Sequence, residues 1–149
     1  MNVLNSAVSQ FTNYNFNSMC KFGDSYLGAN ENGLFLLNSG DKDNTTNIAS
    51  RFRTMTNDFG DSHQKRIRSL YVNGEFAGNM LLIVRNDGGN EREYTIEMSD
   101  LLQKGYKKSI GRDGKGRHFD FEFQNVDGAD FSIDLIEIIP IILARKPPY

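Results

Sequence analysis

The sequence predicts an all-β protein: an antiparallel β-sandwich, jelly-roll-like or Ig-like, behind an irregular N-terminal arm. Three observations predict it. From His118 to Phe123 the chain alternates strictly, with Phe119, Phe121 and Phe123 on one side and His118, Asp120 and Glu122 on the other. That is the period of a strand with one buried face. Turn-forming clusters such as Asn38 to Asn47, Asp87-Gly88-Gly89-Asn90 and Asp127-Gly128 recur along the chain, at spacings typical of sandwiches and barrels. No segment sustains a 3.6-residue apolar period, and Ser99 to Gln103 offers one helical turn at most.

Residues 1 to 15 mix Asn, Ser, Thr and Gln with scattered apolar side chains and read as an arm. Residues 16 to 149 read as one sandwich domain, although residues 1 to 45 also suit a separate subdomain. Phe16 to Phe22 and Tyr26 to Ala29 are short strands separated by Gly23-Asp24, and Gly33 to Leu37 is a third. Asn38 to Asn47 is almost purely turn-forming and reads as a surface loop. Ile48 to Thr56 alternates imperfectly, with Ile48, Phe52 and Met55 as candidate core residues. Arg66 to Val72 sets Arg66 and Arg68 against Ile67 and Tyr71. Met80 to Val84 is a continuous apolar run, as expected of a strand buried on both faces. Asp87 to Asn90 then turns it into a hairpin returning through Tyr94 to Ile96. Phe119 to Phe123 and Phe131 to Ile136 read as a second hairpin closed at Asp127-Gly128, with Phe131, Ile133 and Leu135 facing in. Gly128 is expected at positive φ, which glycine adopts without steric cost.

Composition bounds the function. The chain has 149 residues, enough to bury a core without staples. Eleven Phe and six Tyr, with no Trp, supply that core. Its 17 basic and 19 acidic residues leave a net charge of -2, so no overall charge draws it toward nucleic acid or a membrane. Cys20 is the single cysteine, which rules out an intrachain disulfide. No basic leader precedes an apolar run. Leu135 to Ala144, interrupted by Glu137 and Pro140, is far short of the roughly 20 residues of a membrane helix. A soluble protein is expected.

The catalytic patterns fail one by one. Asp58-Phe59-Gly60 spells a kinase metal motif, but no catalytic loop or nucleotide loop accompanies it. In Gly111 to Arg117 the spacing is wrong for a phosphate loop, and Gly116 follows Lys115 where Ser or Thr is required. Cys20, His63 and His118 lack the spacing of zinc ligands. Asp41-Lys-Asp43 begins like a calcium loop, but Thr46 stands at its sixth position and Phe52 at its twelfth. Asp120 and Glu122 share one strand face. Glycoside hydrolysis needs two carboxylates across a cleft, so a solvated outer face is the simpler reading. No enzyme activity, metal or cofactor is expected. Lys65, Arg66 and Arg68, with Lys104, Lys107, Lys108, Arg112, Lys115 and Arg117, form a basic cluster that suits inter-subunit salt bridges or a solvated face better than nucleic acid.

The chain also resembles structural proteins of tailed-bacteriophage virions. The resemblance is carried by Thr54 to Gly60, Lys65-Arg66 and Tyr71. Further on it is carried by Gly111 with Gly116-Arg117, the alternating aromatic strand, Asn125 with Gly128-Ala129 and Phe131, and Ile136-Glu137 with Pro140 through Arg145. Tyr26, Gly28 and Gly33 to Phe35 match the lead-in. It covers most of residues 16 to 146. His118-Phe119 stands where such proteins often have Tyr-Trp. The resemblance implies a tail, neck or baseplate component located in the virion. Its partners would be copies of itself in a ring or sleeve and other virion proteins, with no membrane, nucleic acid or cofactor. The assembly contacts expected are Phe11, Tyr14 and Phe16 in the arm and Arg145 and Tyr149 in the tail, facing Lys65, Arg66, Arg68, Arg112, Lys115 and Arg117. The alternative expectation is a glycan-binding β-sandwich module for host attachment, using Tyr14, Tyr26 and Tyr106.

Overall fold

The computed structural model describes residues 14–37, 42–43, 45–98, 102–112 and 114–143. Every regular element among them is a strand, and every pairing is antiparallel. The chain divides into two compact units, Met1–Gly40 and Asp41–Tyr149. The division falls at residue 40.

The first unit is a three-stranded meander of β1 (Ser18–Phe22), β2 (Ser25–Asn30) and β3 (Gly33–Leu37), in that order across the sheet. Gly23 turns the first corner at φ 60, a conformation that favours glycine. Gly28 has a different role. A Cβ there would lie 2.8 Å from the Phe16 ring, so the missing side chain lets that ring lie on the sheet. Phe16 continues to Phe35 at 5.7 Å and to Tyr14 at 5.1 Å between ring centroids.

The second unit is the sandwich. The short pair β4 (Lys42–Asp43) and β5 (Thr46–Asn47) lies in the stretch expected as a loop. One sheet has β7 (Lys65–Phe76) at its centre. The long β13 (Phe131–Ile142) pairs with one edge of β7, and β10 (Lys104–Ser109) and β11 (Lys115–Gly116) pair with the other. The second sheet runs β6 (Arg51–Arg53), β12 (Phe119–Asn125), β8 (Met80–Asn86), β9 (Glu91–Ile96). Ile67, Leu70, Val72 and Phe76 from β7 meet Met80, Leu82 and Val84 from β8 and Phe119, Phe121 and Phe123 from β12 in one core. The three phenylalanines are buried as expected, and β8 and β9 form the expected hairpin.

The expected hairpin of residues 119 to 136 does not form. β12 pairs with β6 and β8, whereas β13 pairs with β7 in the other sheet. The turn itself is correct: Asp127 and Gly128 sit at φ 55 and 73, and Ala129 N–H donates to the Val126 carbonyl at 3.1 Å. Two consecutive positive φ values suit a tight reversal. The chain then leaves for the second sheet, where Ala77 N–H donates to the Asp130 carbonyl at 2.9 Å.

Two irregularities shift side chains from one face to the other. On β13, Ile133 opposes Gly74 but Leu135 opposes Asn73, so Asp134 is an extra residue. Leu135 is therefore exposed, against expectation, and Ile136 and Ile138 pack on the core. On β7, Ser69 opposes Ile139 but Ile67 opposes Pro140, leaving Arg68 unpaired with β13. Ile67 before this point and Leu70 and Val72 after it all face in, and Tyr71 falls on the outer face instead of joining Ile67. A one-residue shift reverses every later side chain. Ile48, Phe52 and Met55 are also exposed, not core, with Met55 at 89%. All three lie on or beside β6, an edge of its sheet. Phe52 still stacks on Phe123, with ring centroids 4.9 Å apart.

Candidate assembly surfaces

The outer face of the β6-β12-β8-β9 sheet carries a chain of ion pairs. Cross-strand register places Glu122 opposite Arg53 on one side and Asp120 opposite Arg85 on the other. Arg53 grips Asp120 with two bonds, Nε to Oδ1 at 2.7 Å and Nη2 to Oδ2 at 2.8 Å. Arg85 donates to Glu122 at 2.7 Å and to Glu91 at 2.8 Å, and it lies 3.5 Å from Asp120. The hydrogen bond to Glu91 is the largest influence raising the Arg85 pKa; burial opposes it and Glu122 adds to it. The hydrogen bond to Asp120 likewise raises that of Arg53. Asp120 and Glu122 are thus only 6% and 7% exposed. This overturns the expected solvated face: the period of the strand was right, but arginines from both neighbouring strands lie over the carboxylates. With their oxygens already taken, these acids are held as counter-ions and are not presented across a cleft.

The expected contact residues separate into distinct groups. Phe11, Arg145 and Tyr149 lie outside the described residues. Tyr14 and Phe16 belong to the first unit. Lys65 is fully buried and has no surface to offer a neighbour. Its ammonium donates to the Asp61 and Arg117 carbonyls, which ties the segment before β7 to the loop before β12. Its neighbours Arg66 and Arg68 point elsewhere. Arg66 is half-buried and directly opposes Lys115 across the β7–β11 ladder, a like-charge pair that costs stability unless an anion covers it. Arg68, Arg112 and Arg117 are exposed. Beside this region Asp61 accepts from the His63 backbone N–H at 2.7 Å and faces the His63 ring nitrogen at 2.6 Å. The backbone bond first, then the ring, holds the Asp61 carboxyl below its usual range.

The third surface was not legible as a site in the sequence. In the β1-β2-β3 sheet, Met19, Gly28 and Phe35 share one face with Lys21, Tyr26 and Leu37, while Cys20, Leu27 and Leu36 share the other with Phe22, Ala29 and Leu34. Lys21 is the only charged residue in these strands. Large apolar side chains are exposed on both faces: Met19 and Tyr26 on one, Phe22, Leu34 and Leu36 on the other. The signal was the missing polar face. A one-sided sheet alternates apolar with polar residues, and these strands do not.

A cavity among Val84, Asn90, Arg92, Ile110 and Phe119 holds about 10 Å³, room for a single water at most. Among the described residues no three His, Cys, Asp or Glu gather as metal ligands do, and no helix is long and apolar enough to cross a membrane. Tyr106 is half-buried against Phe76, with ring centroids 5.6 Å apart, and offers no open ring for a sugar. No family model, no curated protein and no solved structure matches this chain.

Proposed function

We propose that this protein is a structural component of a tailed-phage virion, in the tail, neck or baseplate, and works by symmetric protein–protein assembly. The observation that carries the reading is the β1-β2-β3 sheet, which holds large apolar side chains in the open on both faces. Contiguous exposed apolar surface marks a contact with another macromolecule. The sandwich beside it in sequence has its core filled and the carboxylates of β12 paired with arginine. What this chain leaves unsatisfied is surface. The sequence resemblance supplies the particle. The test is quantitative mass spectrometry of purified particles, with immunogold labelling: the protein is expected at a fixed copy number and at one location. Its absence from purified particles would sink the reading.

Exposed Tyr14 and Tyr26 favour a second reading, a glycan-binding module for host attachment, because open aromatic rings stack on sugars. Lys21 lies over the Tyr26 ring at 5.7 Å and competes for that face. A glycan array decides: specific binding lost in Tyr26→Ala supports the second reading, and a blank array removes it.

A further inference from the structure

We infer that the outer face of the β7–β11 ladder is an oxyanion site, built on Arg66 and Lys115 and suited to a dianionic phosphate group. The site belongs to the sandwich and does not depend on the assembly reading.

Register makes the site. Arg66 and Lys115 are directly opposite each other, and residues so placed hold their Cβ atoms about 4.5–5.5 Å apart on one face, where like charges repel. The face follows from β7: Lys65 and Ile67 are buried, whereas Arg66 and Arg68 alternate with them and point away from the core. On the other side of Arg66, β13 brings Ile141 and no acid. The acids beside the ladder are engaged elsewhere. Asp61 holds His63, and Asp87 accepts from the Arg117 backbone N–H and faces His118. Among the described residues no carboxylate pairs with Arg66 or Lys115. The Arg66 Nε–H is shut off from water and has no acceptor. A partly buried charge without a partner costs stability, and a counter-ion on the outer nitrogens of the guanidinium offsets that cost.

The chain fixes this repulsive pair in place. β11 is only two residues long, Lys115–Gly116, and its surroundings hold it at three points. Asn86 Nδ2 donates to the Lys115 carbonyl at 2.9 Å, the Arg117 N–H donates to Asp87 Oδ1 at 3.1 Å, and Lys65 Nζ donates to the Arg117 carbonyl at 2.9 Å. Gly116 permits that close approach, since a Cβ there would stand 2.6 Å from Asp87 Oδ1 and 2.9 Å from the Asn86 Cβ. A lysine on a loose loop would swing away from an arginine. The backbone of this one is pinned across from it, and a site arranged before its ligand arrives binds with less ordering cost.

Charge selects the ligand. Two adjacent cations call for two negative charges in one small group. A terminal phosphate carries about −1.5 to −2 at pH 7, and its oxygens accept from a guanidinium fork and an ammonium together. A carboxylate or a phosphodiester brings a single charge. Arg68, exposed two residues along β7 on the same face, adds a third cation beside the pair.

The test uses the full chain and inorganic phosphate, titrated calorimetrically against a chloride buffer of equal ionic strength. Saturable binding at a single site is expected. At about ten times the measured dissociation constant, phosphate should raise the melting temperature by about 3–6 °C. Lys115→Gln, at an exposed residue, should weaken binding about 10- to 100-fold. In chloride it should melt no lower than the wild type, because it removes a repulsion. Lys115→Glu sets a carboxylate across from Arg66, so it should melt above the wild type in chloride and gain nothing from phosphate. Methyl phosphate, titrated in parallel, separates the two sources of the group: binding equal to that of phosphate assigns the terminal phosphate of a larger ligand, and weaker binding assigns the free ion. No heat and no change in melting with phosphate overturns the inference. Phosphate binding that survives Lys115→Glu overturns it too, since the ion then sits elsewhere. A Lys115→Glu protein that melts below the wild type in chloride shows that the two side chains share no counter-ion, and is equally fatal. Tighter binding of a mixed-sequence DNA duplex than of phosphate, lost in the same variants, would make this face a nucleic-acid contact and overturn the choice of ligand.

Discussion

Replacing Arg85 by methionine should destabilise the sandwich by about 2–3 kcal/mol. Glu122 would lose its 2.7 Å bond and keep only Arg51, which is 3.8 Å away and 72% exposed along its side chain. A hydrogen bond to a charged group is worth about 1.5–3 kcal/mol net. Asp120 would keep both bonds to Arg53, so its share of the loss is small. Glu91 is half-exposed and would return to water, which costs about 0–1 kcal/mol. The sum stays below the roughly 3–5 kcal/mol of a fully buried pair broken on one side, because Arg53 remains nearby. Urea unfolding reads the loss as a lower midpoint at unchanged slope. In a double-mutant cycle, Glu122→Gln on the Arg85→Met background should cost less than Glu122→Gln on the wild type, since the carboxylate has already lost its partner. A loss under about 0.5 kcal/mol would place this pair among ordinary exposed ion pairs. The idea that arginines shield the acids of β12 would then be wrong.

Three further outcomes follow from the packing and turn geometry of the sandwich. Phe121→Ala should cost about 3–5 kcal/mol, because the ring is buried between the sheets; a loss under about 1 kcal/mol in the same assay would put the ring outside the core. Gly128→Val should block folding or lower the melting temperature sharply, because the position sits at φ 73 and a Cβ would come 2.6 Å from that of Asn47; an unchanged melt would refute the turn geometry. Asp61→Asn should matter only when the carboxylate is charged. A carboxyl held below its usual range stabilises the fold above the unfolded pKa of about 3.9, and that contribution disappears as pH falls through the folded value. The wild-type advantage over Asp61→Asn should therefore be full at pH 7 and shrink below about pH 4, as read from melts across pH; an advantage that persists at lower pH would show that charge is not its source.

The strands were legible one at a time, because alternation and turn chemistry are local. β12 announced its core face through Phe119, Phe121 and Phe123, and Asp127-Gly128 announced a reversal, both correctly. Pairing is not local. Asp120 finds Arg53 across 67 residues of chain, and β13 passes over its sequence neighbour β12 to pair with β7. Alternation says which side chains share a face, but not whether water or another strand's arginines lie over that face. For the same reason the run Lys65-Arg66 looked like one basic cluster, although neighbouring residues on a strand point to opposite sides. One went into the interior and the other stayed near the surface.

The apolar sheet shows the opposite case, in which the informative feature was a pattern that failed to appear. A strand facing water on one side needs a polar residue at every second position. The three strands supply Ser, Cys, Gly and Ala there, with one Asn and a single Lys. Such strands suit burial on both faces, as Met80 and Leu82 to Val84 are buried in the sandwich. Among the described residues, this three-stranded meander has only Tyr14 and Phe16 laid against one face and no second sheet or helix to provide that burial. Either such a sheet is a liability for aggregation, or its second layer comes from another molecule.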